Sequence, residues 1–131
     1  MPPTLADRLE HILAAIDDVQ LLLSDSSVDD FAKDKYRRVA VERFFEIISE
    51  ASRHIPDDVK AQQPAINWRR MADLGNRLRH AYHLIDSELL WLIAQKDLPP
   101  LKAFIESVIQ NRDADAAMMS ESAKRAHSPH S

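Results

Sequence analysis

TLADRLEHILAAIDDVQLLL, residues Thr4–Leu23, sets Leu5, Leu9, Ile12, Leu13, Ile16, Val19 and Leu23 at helical spacing. The repeat matches a helix with one apolar face, and a helix of that kind must find other helices or a sheet to cover it. Thr4 stands just ahead of the first apolar position, where its hydroxyl can accept from a free backbone N–H of the first turn. Ser24-Asp25-Ser26-Ser27 then breaks the pattern.

The rest of the chain repeats this signature. One long helix is expected from Val28 to His54, with Val41, Phe44, Phe45, Ile48 and Ala51 on its apolar stripe and Ile55 continuing it. Pro56-Asp57-Asp58 ends that helix and starts a short one towards Gln62; Pro64 interrupts again, and Trp68 opens a third long helix carrying Met71, Leu74, Leu78, Ala81 and Ile85. Asp86-Ser87-Glu88 supplies a cap and an acidic start for a helix through Leu89, Leu90, Trp91 and Ile93. Asp97-Leu98-Pro99-Pro100 begins the last, since proline is tolerated in a first helical turn. Its face is Leu101, Phe104, Ile105, Val108 and Ile109. Beyond Asn111 the periodicity is lost. The expectation is one all-α, antiparallel helical bundle over residues 1–111 and a disordered tail over 112–131.

Composition supports this. The chain has 131 residues, enough for one domain with a real core, and it carries a single glycine, too few for a hairpin-rich β fold. Without cysteine, disulfides and thiolate metal sites are excluded. A net charge of −4 rules out a broad basic surface, so any nucleic-acid contact has to be local. No apolar run reaches membrane-span length and no signal-peptide pattern opens the chain, so a cytoplasmic protein without membrane attachment is expected.

Gly75-Asn76-Arg77-Leu78-Arg79-His80-Ala81-Tyr82-His83 stands apart. It holds the only glycine, inside a helix, where glycine costs about 1 kcal/mol relative to alanine. It also concentrates two arginines, two histidines and a tyrosine. At about 100° per residue, Asp73, Arg77, His80 and Leu84 share one flank of the helix, and Gly75, Arg79, Tyr82 and Asp86 the other. Arg77 and His80 are three apart and therefore neighbours. A histidine moves protons near neutral pH and an arginine holds phosphate, which together suit cleavage of an RNA phosphodiester without a metal. The same spacing also describes a plain solvated flank on which Arg77 pairs with Asp73. His80 and His83 lack a third partner at a known ligand spacing, so no metal and no cofactor are expected. Trp68 and Trp91 read as packing anchors. Lys35-Tyr36-Arg37-Arg38 reads as a solvated cationic face, or as a contact for a phosphate backbone or an acidic partner. Glu42, Glu46 and Glu50, four apart, form a strip that can pair with arginines of the third helix.

Order and spacing resemble the HepT-like toxins of the HEPN superfamily across about residues 4–110. The segments are Val41-Glu42-Arg43-Phe44-Phe45-Glu46-Ile47-Ile48-Ser49-Glu50-Ala51, Ile66-Asn67-Trp68-Arg69, Asn76-Arg77-Leu78-Arg79-His80-Ala81-Tyr82, Ile85-Asp86, Leu90-Trp91 and Leu98-Pro99-Pro100-Leu101. The resemblance implies a dimeric helical bundle acting as a metal-independent endoribonuclease, the toxin half of a pair with a small nucleotidyltransferase antitoxin. That family's motif is an arginine, four residues, a histidine, one residue and a tyrosine. His80 and Tyr82 match, and Asn76 matches the asparagine after the arginine. The arginine position is Gly75, and Ser49 stands where the family usually has glycine. By resemblance, His80, Arg77 and Asn76 are the catalytic candidates, Arg77 and Arg79 the phosphate-binding ones, and Tyr82 the site to which the partner adds AMP. Residues five apart differ by about 140° around a helix, so a site joining both ends of the motif implies assembly across a dimer two-fold, with Gly75 facing the partner subunit or the substrate. The broken motif keeps a second reading open: a non-catalytic HEPN-type binding module that dimerises and binds the nucleotidyltransferase.

Overall fold

In the computed structural model, residues 2–80 and 86–126 are described, with side chains to residue 122. They form an all-α helical bundle. Its helices are α1 (Leu5–Leu23), α2 (Val28–Lys33), α3 (Lys35–Arg53), α4 (Asp57–Lys60), α5 (Trp68–His80), α6 (Ser87–Lys96) and α7 (Leu98–Ala126). Helix α1 packs against α3 and α7, α3 also against α5, and α6 against α7, with α2 lying over α3 and α6. The site-bearing α5 is thus positioned chiefly by α3.

Local chemistry sets the boundaries. Thr4 and Asp7 form a reciprocal cap: Asp7 N–H donates to Thr4 Oγ1 at 3.1 Å, and Thr4 N–H to Asp7 Oδ2 at 2.9 Å. These bonds from Thr4 hold the Asp7 carboxyl below its ordinary value. Leu9, Ile12, Ile16, Val19 and Leu23 of α1 are buried, as their spacing requires. The single helix expected over Val28–His54 is two. Asp34 leaves helical geometry (φ −96°, ψ 95°), and its carboxylate accepts from Arg37 N–H at 3.0 Å and lies 3.5 Å from Arg37 Nε. An aspartate that caps the following turn offers the chain an alternative to continuing the helix, and apolar periodicity cannot register it. Phe31 of α2 is buried and meets Trp91 with ring centroids 6.1 Å apart.

Asn67 Oδ1 accepts from Arg70 N–H at 2.9 Å at the start of α5. Asp86 does the same for Glu88 N–H at 2.9 Å at the start of α6. Trp68 packs edge-on against Phe104 at 5.8 Å, and Lys60 Nζ lies 5.8 Å over the same indole. Both tryptophans are therefore packing anchors. Helix α7 continues to Ala126, past the point at which the sequence pattern fades; from residue 110 to 122 every side chain is exposed. Among the described residues no helix is long and apolar enough to cross a membrane.

Candidate functional site

The site face begins with a close approach. Gly75 has ordinary helical geometry, with no positive φ; what it needs is space. A Cβ at position 75 would overlap the Ser49 hydroxyl and stand 2.5 Å from Ser49 Cβ. Ser49 and Ser52 are buried one turn apart on α3, and neither hydroxyl has a hydrogen-bond partner among the described residues. Gly75 is buried as well. The expectation that it faces a partner subunit or substrate is therefore incorrect: it faces Ser49 of its own chain. A side chain at position 75 requires α3 or α5 to shift, and an arginine there requires the most.

One turn on, α5 and α3 are tied by charge. Arg79 Nη1 donates to Glu50 Oε2 at 3.0 Å, and Arg79 Nη2 to Asn76 Oδ1 at 2.6 Å. Glu50 Oε1 lies 3.2 Å from His54 Nε2. The His54 bond, then the Arg79 bond, hold the Glu50 carboxyl below its ordinary value against the opposing effect of burial. The chain His54–Glu50–Arg79–Asn76 fixes Arg79 at two points and leaves other N–H groups of its fork for an incoming anion. Its side chain is 35% exposed. Around the helix, Asn76 falls between Arg79 and His80, about 60° from one and about 40° from the other. All three are exposed. They form one crest facing away from the core.

Arg77 lies beyond His80 from Arg79, about 60° from His80 around the helix. It lines a groove of about 540 Å³ between α5 and α6 with Asn67, Arg69, Arg70, Asp73, Leu74, Leu89 and Ile93. The Arg77–Asp73 pair is not formed; Asp73 lies 4.0 Å from Arg69 Nε instead. Arg70 Nε lies 3.1 Å from Asp97 Oδ2, which ties α5 to the α6–α7 junction. Of the three glutamates on the α3 strip, only Glu50 meets an arginine of α5. Glu46 bonds Arg43 of its own helix at 3.2 Å. The Glu42 carboxyl is pushed up by burial, with Arg38 opposing.

Tyr82 and His83 lie outside the described residues. Among the described residues no cluster of three His, Asp or Glu side chains is placed to hold a metal ion. His54 is the participant that the sequence reading passed over. Its one signal was its place four residues after Glu50 on the same helix.

The family model for ribonuclease HepT-like proteins matches residues 12–108. A protein of Thermococcus cleftensis named "Probable ribonuclease HepT" is 40% identical over 102 residues, 78% of this chain and 93% of that one. "Putative RNase MJ1380" of Methanocaldococcus jannaschii is 40% identical over 100 residues, 76% of this chain and 92% of its own length. No solved structure matches with significance. The matched region runs from α1 through the packed part of α7 and contains the whole crest, the groove and the Gly75–Ser49 contact, so the chain belongs to the ribonuclease HepT-like family.

Proposed function

We propose that this chain is a metal-independent endoribonuclease, the toxin half of a pair with a small nucleotidyltransferase antitoxin in the cytoplasm, working as a homodimer. The observation that carries the reading is the crest. Arg79 is anchored to Asn76 and Glu50, and the exposed His80 follows it, with Asn76 lying between the two around the helix. In this arrangement Arg79 takes the phosphate-holding work that position 75 cannot do.

The chemistry needs no further group. His80 takes the proton from a 2′-hydroxyl, whose oxygen attacks the adjacent phosphorus as the bond to the leaving 5′-oxygen breaks. The second copy of His80, brought close across a dimer two-fold, returns a proton to that oxygen. Arg79 neutralises the charge that develops on the phosphoryl oxygens, and Asn76 keeps the guanidinium aimed. Arg77 contributes phosphate binding from the adjoining side. Tyr82 is two residues from His80, and AMP added there by the partner would place a phosphate among these cations and silence the site.

A second reading, a non-catalytic HEPN-type module that dimerises and binds the nucleotidyltransferase, is favoured by one observation: Glu50 already neutralises Arg79. The test is purified protein incubated with RNA in chelator, beside His80→Ala. Cleavage by the wild type and none by the variant is the expected result. Equal cleavage by both sinks the role of His80. Absence of cleavage in both, with a stable complex with the nucleotidyltransferase, selects the second reading.

A further inference from the structure

The groove between α5 and α6 is separate from the crest and differs from it chemically. Its walls carry Arg69, Arg70 and Arg77 against a single carboxylate, Asp73. Its floor is apolar: Leu74 and Ile93 are buried and Leu89 is half-buried. The three arginines are not equivalent. Arg70 is committed to Asp97 at 3.1 Å. Arg69 is 92% exposed and reaches Asp73 only at 4.0 Å. Arg77 has no ion pair among the described residues, and it sits one turn before His80 on the same helix. Arg77 and the exposed, loosely paired Arg69, beside an apolar floor, form an amphipathic recess open at the cationic rim.

We propose that this groove is a nucleotide subsite for single-stranded RNA, holding the base and phosphate next to the bond presented to His80. This deepens the ribonuclease reading and rests on it. The guanidinium planes of Arg69 and Arg77 take the phosphate bidentately or stack on the base. The aliphatic floor at Leu89 and Ile93 takes the flat apolar face of the base. The Asn67 carboxamide spends its oxygen on the α5 cap and keeps its N–H₂ to donate to a base edge. The volume, about 540 Å³, suits a ligand the size of a nucleotide. An acidic protein segment would also meet the arginines, but it would have no need of a flat apolar floor beside them. The groove supplies a local cationic site in a chain of net charge −4: four of the 17 lysines and arginines lie on α5, three of them in the groove.

The test uses full-length protein and a short 2′-deoxy oligonucleotide, which cannot be cleaved through a 2′-hydroxyl, with binding read by fluorescence anisotropy over a salt series. Arg69→Glu and Arg77→Glu are each expected to weaken binding at least about tenfold and to reduce the salt slope by about one per residue. Leu89→Ala is expected to weaken the oligonucleotide by several-fold but leave an abasic strand of the same length unaffected. Unfolding midpoints of the three variants close to wild type separate loss of contact from loss of fold. Wild-type affinity in the Arg69→Glu/Arg77→Glu double variant overturns the subsite. So does an acidic peptide that displaces the oligonucleotide from Arg77 at equal concentration, because that selects a protein partner. The two readings fail separately. Arginine-dependent binding by a protein that never cleaves RNA fails the ribonuclease reading alone. Cleavage that depends on His80, with binding indifferent to Arg69 and Arg77, fails the subsite alone.

Discussion

Gly75 of α5 and Ser49 of α3 occupy one another's space: the missing side chain of the first is filled by the hydroxyl of the second. These are the two positions at which the sequence resemblance leads one to expect a different residue, and they touch. Bulk absent on one helix is present on the other, so the two departures act as one. The contact also fixes the register of α5 on α3, and that register brings Arg79 to Glu50 one turn later.

Gly75→Ala should therefore destabilise the protein although alanine is the better helix former. Helix propensity favours the variant by about 1 kcal/mol. Overpacking of a closed contact costs about 1–3 kcal/mol and should exceed that gain. A net loss of about 1 kcal/mol in urea denaturation is expected. Adding Ser49→Gly removes the overlapping atoms, leaving only the Ser49 Cα position at 3.9 Å, an ordinary contact, and should recover most of the loss. Restoring the motif arginine by Gly75→Arg alone should abolish cleavage rather than raise it. A single Gly75→Ala variant as stable as wild type would mean that the helices are not held at this distance.

The arginine of the crest should behave as a fork and not as a charge. Arg79 reaches Glu50 through one terminal nitrogen and Asn76 through the other. Lysine cannot make both bonds. Arg79→Ala should lower kcat by about 10²–10³, the usual loss of a transition-state charge stabiliser, and Arg79→Lys should recover only a small part. Asn76→Ala should show a smaller loss of the same kind, since it frees the guanidinium without removing it. Single-turnover cleavage of a saturating RNA gives the comparison. Cleavage by Arg79→Lys at the wild-type rate would leave Arg79 as a general cation only.

Helix content was legible because it depends on spacing. Leu9, Ile12, Ile16, Val19 and Leu23 repeat at the helical period, and all five are buried. Thr4 and Asp86 announced helix starts for the same local reason that they make them. The break at Asp34 was hidden, because no buried apolar residue lies between Phe31 and Val41 to show where the stripe changes helix, and only the cap geometry marks it. The site was legible in its residue types and not in its pairings. Angles around α5 put Arg77 beside His80, but they carry no information about the neighbouring helices. Glu50, His54 and Ser49 all come from α3, and Glu50 and His54 tie down Arg79 rather than Arg77. Tertiary contact of this kind cannot be read from one helix's periodicity.

Residues beyond the matched region should be dispensable for folding. Every described side chain from residue 110 to 122 is exposed, so this stretch of α7 packs no described side chain into the core. A chain ending at residue 111 should unfold within about 0.5 kcal/mol of the full-length protein, the range of surface changes that remove no packing. A larger loss in urea denaturation would show that the end of α7 is part of the domain.

Two glutamates of α3 should give pH dependences of opposite sign. The Glu50 carboxyl is held below its reference value of 4.5 by His54 and Arg79. Its contribution is present above that value and is lost as pH falls through its folded-state pKa. The Glu42 carboxyl is raised above 4.5 by burial. Its contribution is present below 4.5 and is lost as pH rises through the folded-state value, so above it the buried charge is a burden. Glu50→Gln should therefore flatten the fall in stability on acidification. Glu42→Gln should stabilise the protein near neutrality and lose that advantage in acid. Urea midpoints of the two variants and the wild type, taken between about pH 3 and about pH 7, give both slopes. Parallel slopes for the two variants would mean that the shared helix, and not the separate surroundings of each carboxyl, sets their titration.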